Sequence, residues 1–208
     1  MSAPIAPHAP IAPHAPIAFA KDRTALLLMD LQHFTLGMVE TSEAVLARAR
    51  RARQAALDAG MQVVHVRIGF TEDDHASVPA HHKIFADVAR HGIAADDSEE
   101  TRIHPDLQPE PREHVVTKTR VGALITTDLD RFLRDRGLDT LVLAGVTTSG
   151  VILSTVTDTA DRDYRLAVLA DACADPDPAL HETLMGTVIA RYADVITAES
   201  FAEAARAS

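Results

Sequence analysis

Three places in this chain carry residue types that would do chemistry if folding brought them together. Asp30 closes the apolar run Thr24-Ala-Leu-Leu-Leu-Met29. Lys118 closes the shorter run His114-Val-Val-Thr117. The third is the turn Gly145-Val-Thr-Thr-Ser-Gly150, which follows Leu141-Val-Leu-Ala144 and leads into a helical pattern at Val151. A carboxyl at the end of a buried strand can hold or give a proton, and an ammonium can steady negative charge. A strand entering a helix through small residues gathers free backbone N–H groups at one point. Such a point suits the oxyanion of an attacked carbonyl. Two of these places also have a bland reading. Asp30 can cap the turn that follows it, and Lys118 can carry its ammonium out to the surface along an apolar stem.

These residues need elements to position them. The runs at 24–29 and 141–144 are short and wholly apolar, as strands buried on both faces are. Between them, 41–59 reads as a helix, with Val45, Ala49, Ala52 and Ala56 on one stripe and Gly60 as its stop. Arg48, Arg50, Arg51 and Arg53 leave that stripe and read as a solvated face. A strand is expected over 61–67. The irregular stretch 69–112 carries His75, His81, His82, His91 and His104, with a short helix expected over 82–90. A stretch this long is expected to be a lid or a subunit contact. Beyond Lys118 the pattern predicts helices over 128–136, 151–163 and 178–192, strands over 165–171 and 195–198, and a tail helix from Glu199. Strands alternating with helices give an α/β fold, a parallel sheet with helices on both faces. Such sheets bind ligands at the carboxyl ends of their strands.

Composition removes several classes of function. The formal charge of −10 argues against a nucleic-acid partner, which needs a basic surface. Trp is absent, which disfavours a base-stacking platform. The single cysteine, Cys173, rules out an internal disulfide framework and a thiolate-rich zinc site. No apolar run approaches the ~18 residues of a membrane span, and no signal-peptide pattern opens the chain; a cytoplasmic location and no membrane partner are the expectation. The region after Asp30 holds neither Gly-x-Gly-x-x-Gly nor Gly-Lys-Ser/Thr, so no nucleotide cofactor is expected. Residues 1–20 form a Pro/Ala/His-rich arm built on a repeated Ala-Pro-Ile-Ala-Pro-His. Proline every third residue forbids helix. The arm is either loosely extended or packed across a neighbouring subunit. His8 and His14 are too far apart on it to suggest a metal site. One domain is expected over 21–208.

Three motifs together are specific. Asp30-Leu-Gln-His-Phe34, then Ile103-His-Pro-Asp-Leu107 with Val115-Val-Thr-Lys-Thr-Arg120, and Gly145-Val-Thr-Thr-Ser-Gly150 with Ser154-Thr-Val-Thr-Asp158 resemble the isochorismatase-like (cysteine hydrolase) superfamily. The resemblance runs from about Thr24 to about Ala198. It implies a three-layer Rossmann-like fold on a central parallel six-stranded sheet. It implies that Asp30 and Lys118 are catalytic, that the Val146–Thr147 bond is cis, and that Val146, Thr147, Gly150 and Val151 form the oxyanion turn. Gln32, Phe34, Arg120, Thr148 and Ser149 are candidate substrate contacts. Relatives are commonly dimers or tetramers, so a homodimer or homotetramer acting on a small molecule is expected. Related nicotinamidases bind a metal through an Asp-x-His element. This chain carries that spacing only at Asp73-Asp74-His75, its Asp74-His75 and His81-His82 pairs have the wrong spacing, and no metal is expected.

Two positions depart from the family. Val121-Gly-Ala-Leu124 stands where Ser-Ala-Phe often follows the arginine. Val151 stands where most members carry the nucleophilic cysteine, and valine has neither lone pair nor proton, so no thioester can form there. Three readings follow. The first is hydrolysis without a nucleophilic side chain, as in the vinyl-ether-cleaving branch serving phenazine biosynthesis, with Asp30 as general acid. That role needs burial to raise the Asp30 pKa against the opposing pull of Lys118. The second is a binding or scaffold member that kept the pocket and lost the reaction. The third is an amide (C–N) hydrolase with a substitute nucleophile among Thr147, Thr148, Ser149, Ser154 or Cys173; no base is evident for the hydroxyls, and a buried cysteine is usually inert.

Overall fold

A computed structural model describes residues 18–207. The repeat arm lies outside the described residues up to position 17. Phe19, on the arm side of the boundary drawn at residue 20, is buried and meets Phe201 edge-on at 5.2 Å.

Six parallel strands form one sheet in the order β3-β2-β1-β4-β5-β6. In chain order these are β1 (Thr24–Met29), β2 (Gln62–Ile68), β3 (His114–Lys118), β4 (Thr140–Val146), β5 (Arg165–Ala174) and β6 (Asp194–Ile196). Every residue of β1 and β4 is buried, as their unbroken apolar runs require. Each of Leu26, Leu27 and Leu28 contributes about 1.5–3 kcal/mol by leaving water.

Alternation along β1 divides the core in two. Leu26 and Leu28 face α2 (Ser42–Asp58) and α8 (Ala198–Arg206), together with Val63, Ala49, Ala52 and Phe201. Ala25, Leu27 and Met29 face α5 (Leu129–Asp135) and α6 (Leu153–Ala160), with Val64, Val116, Leu133 and Val156. The order in which strands are added reverses between β1 and β4, and the crevice above that reversal is where such folds place ligands.

Several expectations change. The helix expected over 178–192 is broken into α7 (Pro178–Thr183), a π-turn at Leu184–Val188 and a 3-10 turn at Ile189–Arg191. The helix expected from Val151 starts later, because Thr148–Ile152 is a π-turn in which Gly150 has non-helical angles. β5 runs on to Ala174, with a register slip between the pairs Leu143–Val168 and Gly145–Cys173. The stretch 69–112 holds two α-helices, α3 (Glu72–Ser77) and α4 (Phe85–Arg90), and Phe85 of α4 packs with Ile68, Phe70 and Ala94 into a small separate core.

The arginine face of α2 is not simply solvated. Arg53 bonds Glu113 twice, through Nε at 2.7 Å and Nη2 at 2.6 Å, and is only 14% exposed. Its three neighbours do stay at the surface in ion pairs with Asp171, Asp106 and Glu199. Among the described residues no helix is long and apolar enough to cross a membrane.

Candidate functional site

Parallel pairing puts the three chemical positions at one edge of the sheet. Register aligns Met29 with Gly145 and Ile68 with Lys118, so the carboxyl ends of β1, β3 and β4 share a level. Gly145 makes the approach of β4 to β1 feasible. It sits at φ +146°, and a Cβ there would collide with the Met29 carbonyl.

Asp30 takes a left-handed conformation, φ 53°, at a cost of about 1 kcal/mol. Its N–H donates to the Val66 carbonyl at 2.8 Å and its own carbonyl accepts from the Thr35 hydroxyl. These bonds fix the backbone and aim the side chain. Lys118 does not reach the surface. Its side chain is 1% exposed, and Nζ lies 2.8 Å from Asp30 Oδ2 and 3.1 Å from the Arg120 carbonyl. The other carboxyl oxygen, Asp30 Oδ1, is buried with no partner.

Burial pushes the Asp30 pKa up, and the charge and hydrogen bond of Lys118 oppose that without cancelling it. Val151 is 2% exposed and shares a cluster with Met29, Val116 and Leu124. The wall after β3 is tightly fitted to α6. A Cβ on Gly122 would come within 2.8 Å of Ser154 Oγ, and the Ala123 N–H donates to the buried Thr155 hydroxyl at 3.2 Å.

The Val146–Thr147 bond is cis, the isomer the resemblance implies. The other candidate residues divide. The Gln32 amide is fully engaged: Nε2 donates to Ile68 O at 2.8 Å and Thr101 O at 2.5 Å, and Oε1 accepts from the Ile68 N–H at 2.8 Å. Gln32 latches the end of β2 to the segment at Thr101, and its amide has no donor left for a substrate. Phe34 is half-buried on α1 (His33–Leu36). Arg120 tethers Lys118 through its carbonyl, while its guanidinium donates to Thr119 O at 2.6 Å. Thr148 is buried with its hydroxyl on His181 Nδ1 at 2.8 Å, and the exposed Ser149 gives its N–H to Asp175 Oδ2 at 2.7 Å.

His181 and Asp175 were missed in the sequence. Asp175 carried the same signal as Asp30, an acid after a buried strand. His181 carried none, since its partner is 33 residues away.

Cys173 is a poor nucleophile. Burial, with the Asp171 charge adding to it, pushes its thiol up to about 12 despite a backbone bond from Gly145. The histidines of 69–112 have local work. His75 stacks on Phe70 at 5.0 Å and bonds Ile93 O at 2.9 Å. His82 accepts the Phe85 N–H at 3.2 Å, and His91 bonds Asp87 O at 2.9 Å.

Comparison with known proteins agrees with this architecture. The Isochorismatase domain family matches residues 24–200. The chain is 29% identical over 184 residues to "Phenazine biosynthesis protein PhzD1" of Pseudomonas aeruginosa, covering 87% of this chain and 86% of that one. It is 33% identical over 188 residues to "Ureidoacrylate amidohydrolase RutB" of Methylorubrum extorquens, covering 79% and 75%. A cysteine hydrolase structure from Pseudomonas syringae pv. phaseolicola superposes with a TM-score of 0.85 at 22% identity, over 94% of this chain and 98% of that one. N-carbamoylsarcosine amidase from Thermoplasma acidophilum does so at 0.70 and 23% identity, over 85% and 97%. At these identities the two structures speak for the fold alone. The match over 24–200, with its motifs on one sheet edge, means that the chain belongs to the isochorismatase family.

Proposed function

We propose that this member of a hydrolase family cleaves a small carboxylate-bearing metabolite without a thioester, by hydrolysis of a vinyl-ether type. The observation that carries the reading is the half-satisfied carboxyl of Asp30. One oxygen is bonded to Lys118, and the other is buried with no partner. A buried polar atom without a partner is rare and calls for a reason. In this reading the free oxygen is the one that carries the proton: burial shifts the Asp30 pKa upward, the direction a general acid needs.

In the proposed reaction Asp30 gives its proton to the enol carbon, and the electron pair of the double bond forms the new C–H bond. The resulting oxocarbenium is attacked by water. The hemiketal then collapses to a ketone and an alcohol, returning a proton to Asp30. Lys118 holds the substrate carboxylate and steadies the anionic form of Asp30 between steps. Val151 occupies the position of the family's cysteine, and its two methyl groups leave no covalent route. The relative named for phenazine biosynthesis supports this class, and the relative named as an amidohydrolase supports the C–N alternative.

The test is a substrate panel of vinyl-ether carboxylates and of ureido and carbamoyl amides, run on wild type and on Asp30→Asn. Turnover of vinyl ethers that Asp30→Asn abolishes is the expected result. Turnover of amides alone replaces the class. A second reading, a silent ligand-binding or scaffold member, draws on the enclosure of the dyad, with Asp30 and Lys118 side chains 8% and 1% exposed. Binding without turnover across the panel favours it. Val151→Cys probes the pocket directly: a covalent adduct with a reactive amide, seen by mass spectrometry, means the cavity still accepts a carbonyl substrate.

A further inference from the structure

A turn that borders a reacting centre must be held still, and here it is held from one side by a single segment. Two consecutive residues of the turn, Thr148 and Ser149, are bound by the chain running from the end of β5 into α7. Asp175, itself buried, accepts the Ser149 N–H through Oδ2 at 2.7 Å and the Asp177 N–H through Oδ1 at 3.4 Å. His181 then meets the Thr148 hydroxyl through Nδ1 at 2.8 Å. The first turn of α7 is fixed in its own right. Asp177 caps it, accepting from the Ala179 and Leu180 N–H groups at 2.9 and 3.2 Å, and Pro178 follows the cap.

The other side of the turn is closed by its own backbone. The Thr147 carbonyl accepts from the Gly150 and Ile152 N–H groups, and a Cβ on Gly150 would come within 2.6 Å of Thr147 Oγ1. Thr148 is fully buried, and His181 is the partner its hydroxyl has among the described residues. Either the hydroxyl donates to a bare Nδ1 or Nδ1–H donates to the hydroxyl, and the grip is the same in both tautomers.

We propose that His181 is a positioning residue for the reaction, acting through Thr148 to hold the turn 146–151 against the Asp30–Lys118 pair. This rests on the hydrolase reading above. The test uses the full chain and two pairs of variants. His181→Asn keeps a hydrogen-bonding atom near the place of Nδ1, whereas His181→Leu removes it. Thr148→Ser keeps the hydroxyl, whereas Thr148→Val removes it in nearly the same shape and guards against a His181→Leu that fails to fold.

Amide exchange of the peptide covering 145–153 is followed by mass spectrometry alongside kcat and KM on the turned-over substrate. His181→Leu and Thr148→Val are expected to speed exchange in that peptide and to lower kcat about 100-fold, the scale of a small misplacement, with KM unchanged. His181→Asn and Thr148→Ser are expected to restore both. A turn that does not loosen, a loosened turn with full kcat, or a loss carried by KM overturns the proposal. If wild type turns over nothing, the hydrolase reading fails and takes the catalytic half of this inference with it. The exchange data alone then decide whether His181 grips the turn.

Discussion

Two carboxyls are buried beside cations at opposite ends of β3, and their pKa values are displaced in opposite directions. Glu113, just before β3, faces the α2 layer. It accepts two bonds from Arg53 and one from the Glu110 N–H at 2.6 Å, and His65 lies 3.4 Å away. Burial alone would raise its pKa, but the Arg53 bond, the Glu110 N–H and the neighbouring charges together bring it below the ordinary value. Asp30, at the Lys118 end of β3, has one cation, and one of its oxygens has no partner. There burial prevails and the pKa rises. A carboxylate whose lone pairs are taken is a structural anion. One that is left half-satisfied is poised to hold a proton.

The sharpest way to break this contrast is to neutralise each acid. Asp30→Asn is expected to lower turnover about 100- to 10,000-fold while the chain still folds. A variant with near-normal rates removes Asp30 from the mechanism. Glu113→Ala is expected to do the reverse, leaving the partly buried Arg53 only Glu110 and the Gln108 carbonyl as partners and lowering the unfolding free energy by about 1–3 kcal/mol, read by denaturant titration. Loss of turnover at full stability would erase the distinction.

Their pH signatures also diverge. Glu113 is lowered in the folded chain, so its stabilisation is present above the unfolded value of about 4.3 and is lost as pH falls through the folded one. Glu113→Gln is expected to flatten the acid limb of the stability curve. Asp30 is raised, so its contribution is present at low pH and is lost as pH rises through the folded value. Because Lys118 pulls that value down, Lys118→Met is expected to move the alkaline limb of the rate profile to higher pH, even as the rate drops. A shift to lower pH would mean that Lys118 does not oppose burial at Asp30.

The smallest effect concerns the thiol. Cys173→Ala is expected to leave turnover unchanged, and native Cys173 to resist iodoacetamide until the chain unfolds, because burial has pushed its thiol up to about 12. Lost activity would return Cys173 to the reaction.

Much of the architecture was legible because it depends on local pattern. The runs at 24–29 and 141–144 could only be central strands, and Gly60 marked a helix end. Asp30 and Lys118 stood out because strand ends in a parallel sheet share an edge. The break within 178–192 was not legible, since the apolar spacing of an interrupted helix looks like that of a straight one. Nor was the role of Arg53. Periodicity put it off the apolar stripe, and only the chain before β3 decided that a carboxyl would meet it there.

The sequence by itself determined the sheet, the family motifs and the valine at 151, because these follow from residue type and period. Tertiary structure alone decided which oxygen of Asp30 would be left without a partner, which hydroxyl would meet His181, and that the Gln32 amide would be occupied by backbone. Those outcomes depend on groups far apart in the chain arriving within about 3 Å of one another, and no local pattern encodes such a distance.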